Sequence, residues 1–340
     1  MAARAVGKAE GGGVFSELAV GYLFLGGTGA GGCMVVALLS LLIARCDLAA
    51  ALQAQFRSGE GRLFRSLLSP LLVVSLGALL LGVACLLADL GQPARVLLLA
   101  FSGKVTHLTV GAWALTLCSV AAAWLLLVWR GVVAASPSLF RAANGILLAL
   151  ALVVAAYTGL LLSSLTAVPL WNNAVLPALF VASALSCGFA LAAGLASVSE
   201  VARTFATTLR RLQIADMAVI AIEALLLVAW LAWAPSTDAT PTGQAAAQSA
   251  AQLLHGSLAP LFWGGFAAVG LLLPFCVEAV AAVVSAPRPD GAGASSLRRE
   301  TWSRVSLVTA AGSVLVGGFL LRYLVVTAAL QPVSVIAPLL

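Results

Sequence analysis

Eight uninterrupted apolar stretches follow one another along this chain, at residues 15–44, 66–90, 106–129, 141–165, 173–199, 212–234, 255–285 and 305–329. At about 1.5 Å of helical rise per residue, each is long enough to cross a hydrocarbon core of about 30 Å. Inside such a core every backbone N–H and C=O must find its partner within the protein, and a continuous apolar run without two-residue alternation does so as a helix. With 62% of residues hydrophobic, 9% charged and a mean hydropathy of +1.10, the protein has too little polar surface to clothe a soluble domain. The fold class expected is therefore all-α, a polytopic membrane protein with eight transmembrane helices. The first stretch reads as a span and not as a cleavable signal, because residues 1–13 are Gly/Ala-rich with only Arg4 and Lys8 basic, and the apolar run exceeds an h-region.

Charge sets the orientation. Thirteen arginines fall in the first, third, fifth and seventh connections, against Arg4, Lys8, Arg95 and Lys104 on the other side, with Arg322 left inside the last span. Because short basic loops stay in the cytoplasm, both termini are expected outside. The net charge of +6 is a topology signal on this reading, with no nucleic-acid partner implied. The connection at residues 166–172 leaves four spans on either side. Both halves begin outside, so any relation between them is a parallel repeat and not an inverted one.

The first span carries an unusual glycine run, Gly26-Gly27-Thr28-Gly29-Ala30-Gly31-Gly32. Gly27-x-Gly29-x-x-Gly32 matches a dinucleotide fingerprint, but that motif needs a preceding strand and a βαβ unit, and neither is available here. Gly27-x-x-x-Gly31 is instead a face on which two membrane helices pack backbone to backbone, and this packing reading is preferred over a ligand loop. Six cysteines stand far apart with no CxxC, so they read as small buried hydrophobes and not as ligands of an iron–sulfur cluster or structural zinc. The two histidines, His107 and His255, both lie near outer helix ends. A haem in the bundle would need axial ligands on facing helices, so no haem and no other metal is expected.

Polar residues within or beside the apolar stretches are costly and need either a partner or a role. Glu17 and Tyr22 open the first span, Asp89 closes the second, and His107 opens the third. All four belong to the outer end, with Arg95 and Lys104 near enough in sequence to neutralise a carboxylate or touch a partner protein. Tyr157, some two-thirds along the fourth span, must point inward to spare its hydroxyl from lipid, either to another helix or to a quinone carbonyl. In the second half Asp216, Glu223, Glu278 and Arg322 must face the bundle or a wet cavity. They make either a structural salt bridge or a proton route. Pro274, one turn before Glu278, removes a donor and is expected to free the Gly270 carbonyl and kink the seventh span. The outer connection at residues 234–254, rich in Pro, Ser, Thr, Ala and Gln with only Asp238 charged, reads as flexible.

Six segments taken in order, Tyr22-Leu23-Phe24-Leu25-Gly26-Gly27, Asp89-Leu90-Gly91-x-Pro93-x-Arg95, Gly111-Ala112-Trp113, Tyr157-Thr158-Gly159, Pro169-Leu170-Trp171-Asn172 and Gly317-Gly318-Phe319-Leu320-Leu321-Arg322-Tyr323, resemble the NrfD-type membrane subunits of polysulfide-reductase-like respiratory complexes. The resemblance covers residues 17–327. It implies an eight-helix subunit of the inner (cytoplasmic) membrane built as two four-helix bundles side by side, a quinol-binding half at 15–169 and a second half at 170–330, with exterior tails at 1–14 and 331–340. It further implies that the protein holds no haem or iron–sulfur cluster of its own. Such a subunit binds quinol, menaquinol or ubiquinol, near the outer face. It passes electrons to a four-cluster ferredoxin-like iron–sulfur subunit, which feeds a molybdopterin catalytic subunit.

By resemblance Tyr157 is the quinone ligand, with Glu17 and Tyr22 occupying the region where relatives place further polar ligands. Oxidising a quinol releases two protons, and Glu17, Asp89 and His107 are the groups placed to accept them. Lys104 and Arg95 would tune these groups or contact the partner. Asp216, Glu223 and Glu278 would supply an inner proton route. A secondary transporter or proton-conducting protein using Glu223, Glu278 and Arg322 is the alternative, and a passive anchor a third.

Overall fold

Each apolar stretch folds as a helix because the bilayer leaves its backbone no other partner. The computed structural model describes residues 17–43, 52, 56, 59–90, 107–165, 168–198, 206–236, 241–284 and 294–336. Among these, every regular element is helical: α1 (Glu17–Ile43), α2 (Gly59–Leu90), α3 (His107–Trp129), α4 (Pro137–Ser163), α5 (Val175–Val198), α6 (Ala206–Ser236), α7 (Pro241–Leu254), a wide π-helical segment (Leu261–Leu272) that continues as α8 (Leu273–Val284), and α9 (Ala294–Ile336). Eight of them are long and apolar enough to cross a membrane. The protein is thus a multi-pass membrane protein, as its apolar stretches predict.

Local chemistry sets the helix ends. Ser136 caps α4 by accepting the Leu139 N–H, with Pro137 in the first turn where its missing donor costs nothing. Asn173 caps α5 through its Oδ1 and the Val175 N–H at 2.8 Å. The Leu170-Trp171 connection is buried and pinned from both sides. Trp171 Nε1 donates to the Val325 carbonyl of α9 at 2.9 Å, and Trp230 Nε1 of α6 donates to the Leu170 carbonyl at 3.2 Å.

Small residues decide which helices lie at the centre. In α1 and α5, 78% and 67% of the spanning residues are buried, against 28% to 50% in the other six spans. The two helices cross with their backbones in contact. A Cβ on Gly31 would collide with the Ala184 carbonyl, and one on Gly188 with the Gly31 carbonyl. The Gly27-x-x-x-Gly31 face is therefore a packing face, but only Gly31 meets a helix backbone; Gly27 makes room for Arg322. Around this crossing α1 touches α2, α4, α5 and α9, and α5 touches α4, α6 and α9. The helices α2, α3 and α4 follow one another beside α1, while α6, α8 and α9 do so beside α5.

Two features depart from expectation. Residues 241–254, in the connection expected to be flexible, form the helix α7, packed on α6 and α9 with Ala246, Ser249, Ala250 and Leu253 buried. The Ala and Gln content that reads as linker composition is also good helix-forming composition, and Pro241 stands where a helix start tolerates it. Pro274 acts through the widened turns before it. Leu273 N–H reaches back to the Ala268 carbonyl, and the π-helical segment carries Gly270 into contact with Gly317 of α9, where a Cβ would lie 2.5 Å from the Gly317 Cα.

Candidate functional site

Two buried polar centres lie on opposite sides of α1. The first is a tyrosine pair. Tyr157 on α4 and Tyr22 on α1 are each 6% exposed and close enough to interact electrostatically. The Tyr157 ring lies against α3 at Gly111, where any Cβ would run into the ring. That is the physical use of the glycine in Gly111-Ala112-Trp113. Among the described residues the Tyr157 hydroxyl has no hydrogen-bond partner. A buried O–H left unmatched costs about 1–3 kcal/mol, so a structure that keeps one holds it for something.

The end of the first four spans at which α1 and α3 begin collects the other expected groups by position. α1 and α2 pack antiparallel with Gly21 beside Cys85, Gly29 beside Leu79 and Gly32 beside Ser75. Continuing that register sets Glu17, the first residue of α1, level with Asp89, one residue from the end of α2. His107 begins α3, one turn before Gly111. Asp89 is exposed. The Glu17 and His107 side chains, and Arg95 and Lys104 altogether, lie outside the described residues.

The second centre is a charged track between α1, α5, α6, α8 and α9. Arg322 on α9 is fully buried. Its Nε donates to the Leu23 carbonyl at 3.0 Å, and its Nη1 to the Gly318 carbonyl at 2.7 Å and to Ser183 Oγ at 3.2 Å. The guanidinium is flanked by the Phe180 and Phe24 rings, at 5.3 and 6.0 Å from their centroids, a cation–π cage. Ser183 also engages Glu223 of α6, so one hydroxyl stands between the arginine and its nearest carboxylate. One turn further along α5, Ser186 Oγ donates to Asp216 Oδ1 at 2.8 Å. Asp216 in turn faces Glu278 of α8. Asp216, Glu223 and Glu278 are each at most 4% exposed, and Asp216 Oδ2 and Glu278 Oε2 find no N–H or O–H donor among the described residues.

The four charges singled out in the sequence thus fall into one track, with neutral links the sequence did not single out. Ser183 and Ser186 lie three residues apart on one face of α5, a spacing that places them side by side. That spacing is common in membrane helices, which is why it goes unnoticed until the carboxylates are seen opposite. The two centres meet at three consecutive residues of α1. Tyr22 faces Tyr157, the Leu23 carbonyl holds Arg322, and Phe24 flanks the guanidinium. Among the described residues no group of three or more His, Cys, Asp or Glu side chains is placed to hold a metal ion. Cys33 and Cys118 touch inside the bundle as buried thiols.

Known proteins resemble this one in sequence. "Protein NrfD" of Escherichia coli is 29% identical over 277 residues, covering 76% of the present sequence and 81% of that protein. The C subunit of the polysulfide reductase of Wolinella succinogenes is 39% identical over 127 residues, 37% of the present sequence and 38% of its own. "Protein NrfD homolog" of Haemophilus influenzae is 60% identical over 45 residues, 13% of the present sequence and 14% of its own. The model of the family described as polysulphide reductase, NrfD, matches residues 8–334, nearly the whole length; the protein belongs to that family and is a membrane subunit of a redox complex.

Proposed function

We propose that this protein is the quinol-binding membrane subunit of its complex, oxidising quinol at the Tyr157 face and passing the electrons to a partner iron–sulfur subunit that feeds a molybdopterin subunit. The observation that carries this reading is the Tyr157 hydroxyl, buried and without a hydrogen-bond partner among the described residues, beside Tyr22 at the end where α1 and α3 begin and α2 and α4 finish. A phenol is a hydrogen-bond donor of the right strength for a quinone carbonyl, and can equally accept from a quinol hydroxyl. Gly111 lets the Tyr157 ring lie close against α3 and so fixes where its hydroxyl is presented.

The work of the protein's own residues is positional and protonic. Tyr157 and Tyr22 orient the substrate ring. Glu17, Asp89 and His107, at one end of the bundle, take the two protons released as two electrons leave for the partner's clusters. Arg95 and Lys104 lie in the connection between Asp89 and His107, where cations balance the carboxylates and meet a partner protein. On this reading residues 15–169 form the quinol-binding bundle and 170–330 the second bundle, and both termini lie outside.

The charged track supplies an inner proton route. A proton shared between Asp216 and Glu278 satisfies both of their unmatched oxygens, and Ser186, Ser183 and Glu223 continue the series of exchangeable groups toward Arg322. Residues 22–24 couple the two centres, because a shift of the α1 backbone at the tyrosines moves the carbonyl that holds the guanidinium. The test is isolation of the protein with its iron–sulfur partner followed by addition of quinol. Reduction of the partner's clusters supports the reading. Clusters that stay oxidised point to a transporter or a passive anchor.

A further inference from the structure

Among the described residues three tryptophans are shielded from solvent almost completely, Trp129, Trp171 and Trp230. The Trp171 and Trp230 indoles donate to the Val325 and Leu170 carbonyls. Trp129 Nε1, by contrast, has no hydrogen-bond partner among the described residues, and neither have Ser40 Oγ on α1 and Asn144 Oδ1 on α4. All three of these side chains are 0% exposed. Protein interiors rarely keep such atoms without a partner, and here three stand at one end of the same bundle.

Helix periodicity turns the three toward one another. Ser40 lies eighteen residues beyond Tyr22, and Trp129 eighteen beyond Gly111, about five turns in each case. Both therefore return to the faces through which α1 and α3 meet Tyr157 of α4. Between the two levels the same faces touch at Cys33 and Cys118. The third side is α4. Its Phe140 meets the Trp129 ring edge-on, with centroids 5.7 Å apart. Asn144, one turn further along, folds its Nδ2 back onto the Phe140 carbonyl at 2.8 Å, which leaves the amide oxygen over. The Phe56 ring covers this end, its centroid 4.2 Å from that of Trp129 and 5.9 Å from that of Phe140.

The three atoms select their ligand. An indole N–H only donates, an amide oxygen only accepts, and a hydroxyl does either. A cation would meet the indole N–H and an anion the amide oxygen, so the molecule that satisfies all three is neutral and is both donor and acceptor. It is also small, because Ala37, Ala122, Leu125 and Leu147 on these faces are fully buried. We infer that α1, α3 and α4 enclose a binding site for a structural water at Ser40, Trp129 and Asn144. The water accepts from Trp129, donates to Asn144 and shares a hydrogen bond with Ser40, which joins three helices through one molecule.

The test is X-ray radiolytic labelling of the full-length protein in detergent, with oxidation of each tryptophan read by mass spectrometry. Radiolysis turns a bound water into hydroxyl radical where it sits, so a buried ring beside it is oxidised and a dry one is spared. Trp129 is expected to be oxidised at least about fivefold faster than Trp171 and Trp230, equally buried rings whose N–H groups are already matched. A radical scavenger in the bulk solvent should leave that excess in place. Asn144→Leu, which removes the acceptor and fills its space, should bring Trp129 down to the rate of the other two. Ser75→Ala, which removes a hydroxyl already matched by the Leu71 carbonyl, should change nothing at Trp129. Trp129 oxidised no faster than Trp171 and Trp230 in the parent protein would overturn the inference without any variant having to fold. Loss of the excess with the scavenger would overturn it too, in favour of transient opening to solvent, as would equal Trp129 labelling in Asn144→Leu and the parent.

Discussion

Arg322 Nη2 occupies the space that a side chain on Gly27 would need: a Cβ built there would lie 2.5 Å from that nitrogen. One glycine of the α1 run is thus the seat of the most deeply buried charge among the described residues, and the arginine's other nitrogens are held by carbonyls of α1 and α9 and by Ser183 of α5. The fit is steric, so it can be broken from the glycine side without touching the charge. Gly27→Ala is expected to push the guanidinium off at least one of these acceptors and lower stability by about 2 kcal/mol, the cost of a buried donor left unmatched. Thermal unfolding in detergent reads this directly. A Gly27→Ala protein as stable as the parent would mean that the arginine has somewhere else to go.

Arg322→Lys tests whether geometry or charge matters. An ammonium on a single stem lacks the planar fork that reaches the Leu23 and Gly318 carbonyls and Ser183 together. The substitution should cost about 3 kcal/mol, close to the loss on breaking a buried charged network. Arg322→Met combined with Glu223→Gln should lose less than the sum of the two single changes, by at least about 0.5 kcal/mol, because the groups are coupled across Ser183. Strict additivity would separate Glu223 from the arginine.

The α1–α5 crossing predicts a contrast between glycines. Gly31→Ala places a methyl in the Ala184 carbonyl and should abolish accumulation of folded protein or lower its unfolding temperature sharply. Gly145→Ala on α4 meets nothing within 4 Å and should be neutral or slightly stabilising, by up to about 1 kcal/mol of helix propensity. Expression and unfolding of the two variants side by side give the answer, and similar behaviour would contradict the close crossing.

These contrasts also explain how far the fold and the site could be read in advance. The eight spans were legible because hydrocarbon admits one backbone solution, and the glycine run announced a close approach. Which glycine meets which neighbour was not legible. Gly27 and Gly31 look alike in sequence, yet one faces a guanidinium and the other a helix backbone, since a turn of helix separates them and α9 approaches only one. Asp216, Glu223, Glu278 and Arg322 stood out by their cost. Ser183 and Ser186, which link them, did not, because a hydroxyl in a membrane helix is ordinarily satisfied by its own backbone, as Ser75 is by the Leu71 carbonyl at 2.7 Å. Residues 241–254 misled because alanine and glutamine serve a linker and a helix equally well.

The proposed inner proton route makes a prediction apart from stability. Glu278→Gln keeps a hydrogen-bond donor facing Asp216, so unfolding should change by less than about 1 kcal/mol while proton movement stops. In vesicles containing the complex, the ratio of protons moved to electrons transferred should fall in Glu278→Gln and in Glu223→Gln. An unchanged ratio in both would remove the track from proton transfer and leave it a structural network.

The most direct test of the quinol assignment is the rate at which quinol reduces the partner's iron–sulfur clusters in the Tyr157→Phe complex, compared with the parent at equal cluster content. Losing the only polar atom of that side chain should slow the reaction about tenfold or more at limiting quinol, while the complex still assembles. Equal rates at both limiting and saturating quinol would contradict the account and place the quinol elsewhere.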